Sequence, residues 1–140
     1  MVDIVKNVLF VCVENSCRSQ MAEGFAQYLG KNIIKAYSAG SNPLGKVNSN
    51  AKKVMKEIGV DISKYRSKGF NELPIEKFDI VVAMGCADIC PFVPASSKMD
   101  WKLEDPKDKD MNFFRKTRDK IKDKVAGLIQ MIAIEEKINK

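Results

Sequence analysis

The apolar positions of this chain switch repeatedly between a continuous spacing and a helical one. Val8-Leu9-Phe10-Val11 is unbroken, and Asn7 to Val13 reads as a buried strand. From Ser19 to Leu29 the residues Ala22, Phe25, Ala26 and Leu29 share one helical face, and Gly30 stops the helix. Ile33 to Ser38 predicts a second strand, ended by Ala39-Gly40 and the turn-rich Ser41-Asn42-Pro43-Leu44-Gly45. A second helix is expected from about Ser49 to Ile58, with Ala51, Val54, Met55 and Ile58 facing inward. Pro74 argues against one continuous helix over Ser63 to Glu76. Phe78 to Met84 is almost wholly apolar, as strands covered on both faces are. Lys98 to Trp101 reads as a short edge strand. From about Asn112 the chain is expected to be helical to its end, with Phe114, Ile121, Val125, Leu128 and Ile132 on the inner face.

Strands alternating with helices imply parallel pairing through right-handed crossovers. The expected fold is therefore α/β: a single domain over residues 1–140, with an open four-stranded parallel sheet and helices on both faces. Ligands of such sheets bind at the carboxyl ends of the strands. Two cysteine groups fall there, Cys12 with Cys17 after the first strand and Cys86 with Cys90 after the third.

Composition narrows the function. The chain is 45% hydrophobic and 30% charged, ordinary values for a soluble protein. No apolar stretch approaches the ~18 residues of a membrane span, and the N-terminus lacks the features of a signal peptide. A cytoplasmic protein with no membrane partner is expected, in which four cysteines point to catalysis or metal binding before a disulfide framework. The net charge of +6 suggests an anionic partner. Lysines alternate with acids through Lys107-Asp-Lys-Asp and from Arg115 to Lys124, the pattern of a solvated face, so no nucleic-acid partner is expected and a small anion suits the charge.

The chemistry concentrates in Cys12-Val-Glu-Asn-Ser-Cys17-Arg18-Ser19. A strand turning into a helix through a tight loop exposes consecutive backbone N–H groups, which form a nest reinforced by the helix dipole. Val13, Glu14, Asn15, Ser16, Cys17 and Arg18 are the candidate oxyanion-binding residues, Arg18 adding a planar two-pronged donor. Helix N-termini and neighbouring cations favour the thiolate form of a cysteine. Cys12 at the loop entrance is the candidate nucleophile, and Ser19 can hydrogen-bond its sulfur or cap the helix. The chain has no histidine, so activation must come from these groups. Asn15 can instead supply only a left-handed backbone conformation. Cys-x4-Cys and Cys-x3-Cys approach zinc-ligand spacing, but a zinc module would tie up Cys12 and leave the nest idle. No metal is expected.

The segment from Cys12 to Gly24 closely resembles the phosphate-binding loop of the low-molecular-weight protein tyrosine phosphatase superfamily. Its Arg18-Ser-Gln-Met-Ala-Glu23 continuation is similar to the arsenate reductase branch, where the phosphatases typically carry Arg-Ser-Pro. Tyr37-Ser38-Ala39-Gly40 and Glu104-Asp105-Pro106 also match. The resemblance implies that Cys12 attacks arsenate, that Cys86 displaces arsenite by attacking Cys12, and that Cys90 carries the disulfide onward as Cys86–Cys90. It implies no bound cofactor and an external reductant, thioredoxin-like or a low-molecular-weight thiol. The short Cys86–Cys90 spacer is similar to the form coupled to low-molecular-weight thiols. Phosphate and sulfate are implied as analogues of arsenate, and the protein is expected to be a monomer. Asp105 resembles the superfamily's general acid, and Lys107 stands where the phosphatases usually carry Tyr. Asn15, Glu23 and Ser38 match residues that support the loop around a potassium ion in some members. Lys68 in Arg66-Ser67-Lys68 offers an ammonium in place of that ion. Cys17 has no step in the relay and reads as a buried thiol. The alternative activity is hydrolysis of phosphate monoesters through a Cys12 phosphoenzyme.

Overall fold

A computed structural model describes residues 5–85 and 93–138, with side chains through residue 135. The elements are β1 (Lys6–Cys12), α1 (Arg18–Leu29), β2 (Ile34–Gly40), α2 (Ser49–Lys56), a 3-10 turn (Phe70–Glu72), β3 (Phe78–Ala83), β4 (Ala95–Asp100) and α3 (Met111–Ile138). The sheet order is β2-β1-β3-β4 and every pairing is parallel. The single open four-stranded parallel α/β sheet is the expected architecture; the three described α-helices all pack on one of its faces, where helices on both were expected.

β1 is unbroken in its apolar run because it is central. Val8 to Val11 pair with β2 on one side and with β3 on the other. β4 runs three residues further toward the N-terminus than expected, and its exposed polar residues suit a strand at the sheet edge. β2 extends through Ala39 and Gly40, which the turn-like sequence had assigned to a strand end, because they pair with Val11 and Cys12.

Alternate β1 side chains serve two cores. Val8, Phe10 and Cys12 join Phe25, Met55, Phe114 and Ile121 from the three α-helices on one face. Leu9 and Val11 lie with Phe78, Val81 and Val93 on the other, under the 3-10 turn and Leu73 and Ile75. The inner positions expected of α3 are all buried. Two expected inward residues are not. Leu29 ends α1 and Ile58 lies in the turn beyond α2, and both are exposed. Ser63 to Glu76 contains only the 3-10 turn, as Pro74 implied. None of the described helices is long and apolar enough to cross a membrane.

Strand order reverses direction at β1, since β2 lies on one side of it and β3 on the other. The crevice at the carboxyl ends of β1 and β3 is thus the topological switch point where open α/β sheets bind ligands. Cys12 ends β1 and Gly85 closely follows β3.

Candidate active site

The loop from Cys12 to α1 is turned inside out by its neighbours. The carbonyls of Val13, Glu14 and Ser16 accept backbone hydrogen bonds from Asn42 (2.8 Å), Leu44 (3.0 Å) and Asn48 (3.0 Å). The Asn15 carbonyl accepts from Gln20 Nε2 at 3.1 Å. All peptides here are trans, and in a trans peptide N–H points opposite to C=O. Four carbonyls held outward therefore turn the N–H groups of residues 14–17 to the enclosed side. Cys17, the N-cap of α1, contributes no side-chain capping bond, so the helix dipole opens into the same space. Asn15 makes the bend possible with φ of 50°, a left-handed conformation that asparagine tolerates. Gly40 makes room for it: a Cβ there would lie 2.5 Å from the Val13 carbonyl.

Arg18 is buried and used on both edges. Its Nη1 donates to the carbonyls of Met84 (2.5 Å) and Leu103 (2.9 Å), which fixes the guanidinium between the ends of β3 and the loop after β4. Nε and Nη2 share the other edge. Nη2 lies 3.6 Å from Asp105 Oδ2, and Nε has no partner. An unpaired buried donor costs roughly 1–3 kcal/mol, so this edge is primed for an acceptor from outside the protein.

Cys12 Sγ lies 2.8 Å from Ser19 Oγ. The direction of that bond follows from a chain of fixed donors. The Lys68 N–H, which can only donate, points to Asn15 Oδ1 at 2.9 Å. Asn15 Nδ2 then donates to Ser19 Oγ at 2.8 Å. Ser19 is left with its own proton for the sulfur, which stabilises a thiolate. Asn15 thus does more than supply a backbone conformation. Gln20 Nε2 steadies it by donating to its Oδ1 at 2.9 Å and to the Arg66 carbonyl at 2.8 Å.

The candidate loop-supporting residues also meet. Ser38 Oγ donates to Glu23 Oε1 at 2.6 Å, and Lys68 Nζ lies 3.4 Å from Ser38 Oγ and 3.6 Å from Glu23 Oε1. Burial holds the Glu23 carboxyl above its usual range, opposed by Lys68 and Ser38. Lys68 therefore reaches the active loop through its N–H to Asn15 and helix α1 through its ammonium to Glu23. Cys17 is buried, and its thiol is pushed up to about 12 by burial first, then by Asp105 and Cys12. It remains a thiol at neutral pH.

Asp105 is half-exposed at the mouth, its Oδ1 accepting from the Lys107 N–H at 3.0 Å. Cys86 and Cys90 lie outside the described residues. Gly85, bonded to Cys86, packs directly on Arg18; a Cβ there would fall 2.6 Å from Nη1. Sequence reasoning missed Gly85, Gly40, Gln20 and the carbonyls of Met84 and Leu103. The two glycines left a trace in the sequence, each at the end of a predicted strand, and so did Gln20, which stands where the phosphatases typically carry Pro.

The model of the low-molecular-weight phosphotyrosine protein phosphatase family matches residues 7–139. A protein of Synechocystis named glutaredoxin arsenate reductase is 39% identical over 132 residues, which is 92% of this chain and all of that protein. A solved arsenate reductase in its phosphate-binding state superposes with a TM-score of 0.82 at 38% identity, covering 91% of this chain and 99% of that one. The thioredoxin-dependent arsenate reductase of Corynebacterium glutamicum superposes with a TM-score of 0.79 at 29% identity, covering 96% of this chain and 65% of that one.

Proposed function

Because the chain belongs to the low-molecular-weight phosphotyrosine protein phosphatase family, we infer that its oxyanion pocket serves arsenate, which it reduces to arsenite by a thiol–disulfide relay. The observation that carries this reading is the unpartnered Nε of buried Arg18 beside a loop whose N–H groups face inward. That pocket fits a tetrahedral oxyanion, with a thiol at the loop entrance already accepting a hydrogen bond.

Cys12 attacks arsenic(V), and the displaced oxygen leaves as water, with Asp105 as proton donor. Cys86 then attacks the Cys12 sulfur. The S–As bond breaks with its electron pair returning to arsenic, which departs as arsenite, and a Cys12–Cys86 disulfide remains. Cys90 attacks Cys86 and frees Cys12, leaving Cys86–Cys90 for an external dithiol to reduce. Each disulfide step depends on thiolate access and on the leaving thiol. Gly85 on Arg18 brings the chain to the pocket immediately before Cys86. The names of the relatives support a thioredoxin-like or glutaredoxin-like reductant.

The test is arsenate-dependent oxidation of NADPH, with thioredoxin plus its reductase in one arm and glutathione, glutaredoxin and glutathione reductase in the other. Cys12→Ser is expected to abolish both arsenate reduction and hydrolysis of a small aryl phosphate. Cys86→Ser and Cys90→Ser are expected to stop arsenate turnover while leaving hydrolysis largely intact. Equal loss of hydrolysis in all three variants would count against the relay.

A further inference from the structure

The two loops that wall the pocket are joined by a charged pair that none of the chemical steps uses. Lys107 Nζ donates at 3.0 Å to both carboxylate oxygens of Glu14, a residue of the oxyanion loop. Lys107 also donates its backbone N–H to Asp105 Oδ1, and Asp105 Oδ2 lies against Arg18 Nη2. Glu14, Lys107, Asp105 and Arg18 therefore form a closed circuit, completed through residues 15–17. The residues whose N–H groups turn inward, and Arg18 with its unpartnered Nε, all belong to that circuit.

In-line attack by Cys12 sends the leaving oxygen away from the sulfur, toward the proton donor that the proposed function assigns to Asp105. For a free oxyanion that oxygen carries at most a proton. For an ester it carries an organic group, which needs room between the two loops that the Glu14–Lys107 link joins. We propose that this pair is a specificity clasp: closed, it admits a free oxyanion and disfavours that anion's esters. The proposal rests on the pocket being an oxyanion site. Both side chains are partly exposed, and such pairs are individually weak, so the clasp biases selection without forming a permanent gate.

The test compares calorimetric dissociation constants for orthophosphate and phenyl phosphate at pH 8. The full chain carries Cys12→Ser as the parent background to prevent turnover. Lys107→Met removes a positive charge and Glu14→Gln a negative one, so they move overall anion affinity in opposite directions. Both ligands are dianions, so that electrostatic change cancels in the ratio of the two constants. The phenyl phosphate to orthophosphate ratio is expected to fall about two- to fivefold in each variant, the scale of a weak exposed pair. The double variant should fall no further than either single one, because both remove the same link. Raising salt from about 0.02 M to about 0.5 M should lower the ratio in the parent and not in the variants, since exposed pairs are screened. An unchanged ratio, or additive shifts in the double variant, overturns the clasp while orthophosphate binding upholds the pocket. Failure of the parent to bind either ligand overturns both.

Discussion

Asn15 Nδ2 donates to Ser19 Oγ at 2.8 Å, and this contact sets which way the proton between Ser19 and Cys12 points. The Asn15 amide cannot turn over, because its Oδ1 faces two groups that only donate, the Lys68 N–H and Gln20 Nε2. A backbone amide three elements away in sequence thereby polarises the sulfur of Cys12.

Asn15→Asp tests that direction. Aspartate keeps the shape and tolerates the left-handed backbone, but it places an acceptor against Ser19. The hydroxyl proton is then drawn to the carboxylate and the sulfur loses its donor. A hydrogen bond to a charged group is worth about 1.5–3 kcal/mol, so kcat/KM for arsenate should drop by about 10- to 100-fold. Ser19→Ala should give a loss of similar size. Steady-state kinetics check the loss, and a melt no lower than that of Ser19→Ala separates it from unfolding.

Gly85→Ala should damage Arg18 without touching it chemically. Gly85 has φ of 91°, and a Cβ would meet Arg18 Nη1 at 2.6 Å and the Leu103 carbonyl at 2.8 Å. The second contact is backbone, which cannot swing aside. Strain of this kind costs about 1–3 kcal/mol. A lowered urea midpoint together with weakened orthophosphate binding is expected; unchanged binding would mean that Arg18 does not hold the anion.

Cys17→Ala should leave arsenate turnover within about twofold of the parent, since its thiol is not the reactive thiolate form. The Cys17 thiol, held near 12 by burial, carries almost no thiolate at neutral pH, and the thiolate is the reactive form. Iodoacetamide at pH 8 followed by peptide mass spectrometry should label Cys12 well before Cys17. Early labelling of Cys17, or a large loss of turnover in the variant, would give it a part in the relay.

The strands and helices were legible because their apolar residues repeat at the period of the element they form. Phe114 to Ile132 on α3 and Val8 to Val11 on β1 are the plainest cases. Leu29 and Ile58 were misread because periodicity extends past the point where the partner surface ends. The nucleophile, the arginine and the serine were legible from residue type at a strand–helix junction. Their orientation was not: it depends on carbonyls held by Asn42, Leu44 and Asn48, on Gln20, and on the Met84 and Leu103 carbonyls. Backbone acceptors have no sequence signature, so nothing in the residue string marks them.

Lys68→Met should be destabilising in a pH-dependent way. Glu23 is held above its ordinary carboxyl value by burial, and Lys68 and Ser38 pull it back. An acid with a raised value in the folded state is most favourable to folding below its unfolded value of about 4.3. Its contribution is lost as pH rises through the folded value, because the native state must then hold a buried charge. Removing the ammonium raises the folded value further, so the variant's deficit should be small at pH 4 and grow to about 1–3 kcal/mol at pH 8, the scale of an uncompensated buried group. Urea unfolding at several pH values measures it. A deficit that is flat across that range would mean Lys68 acts only through its backbone bond to Asn15. Lys68→Arg should recover most of the loss at pH 8, since a guanidinium keeps the charge beside Glu23 and Ser38 at any pH in the range.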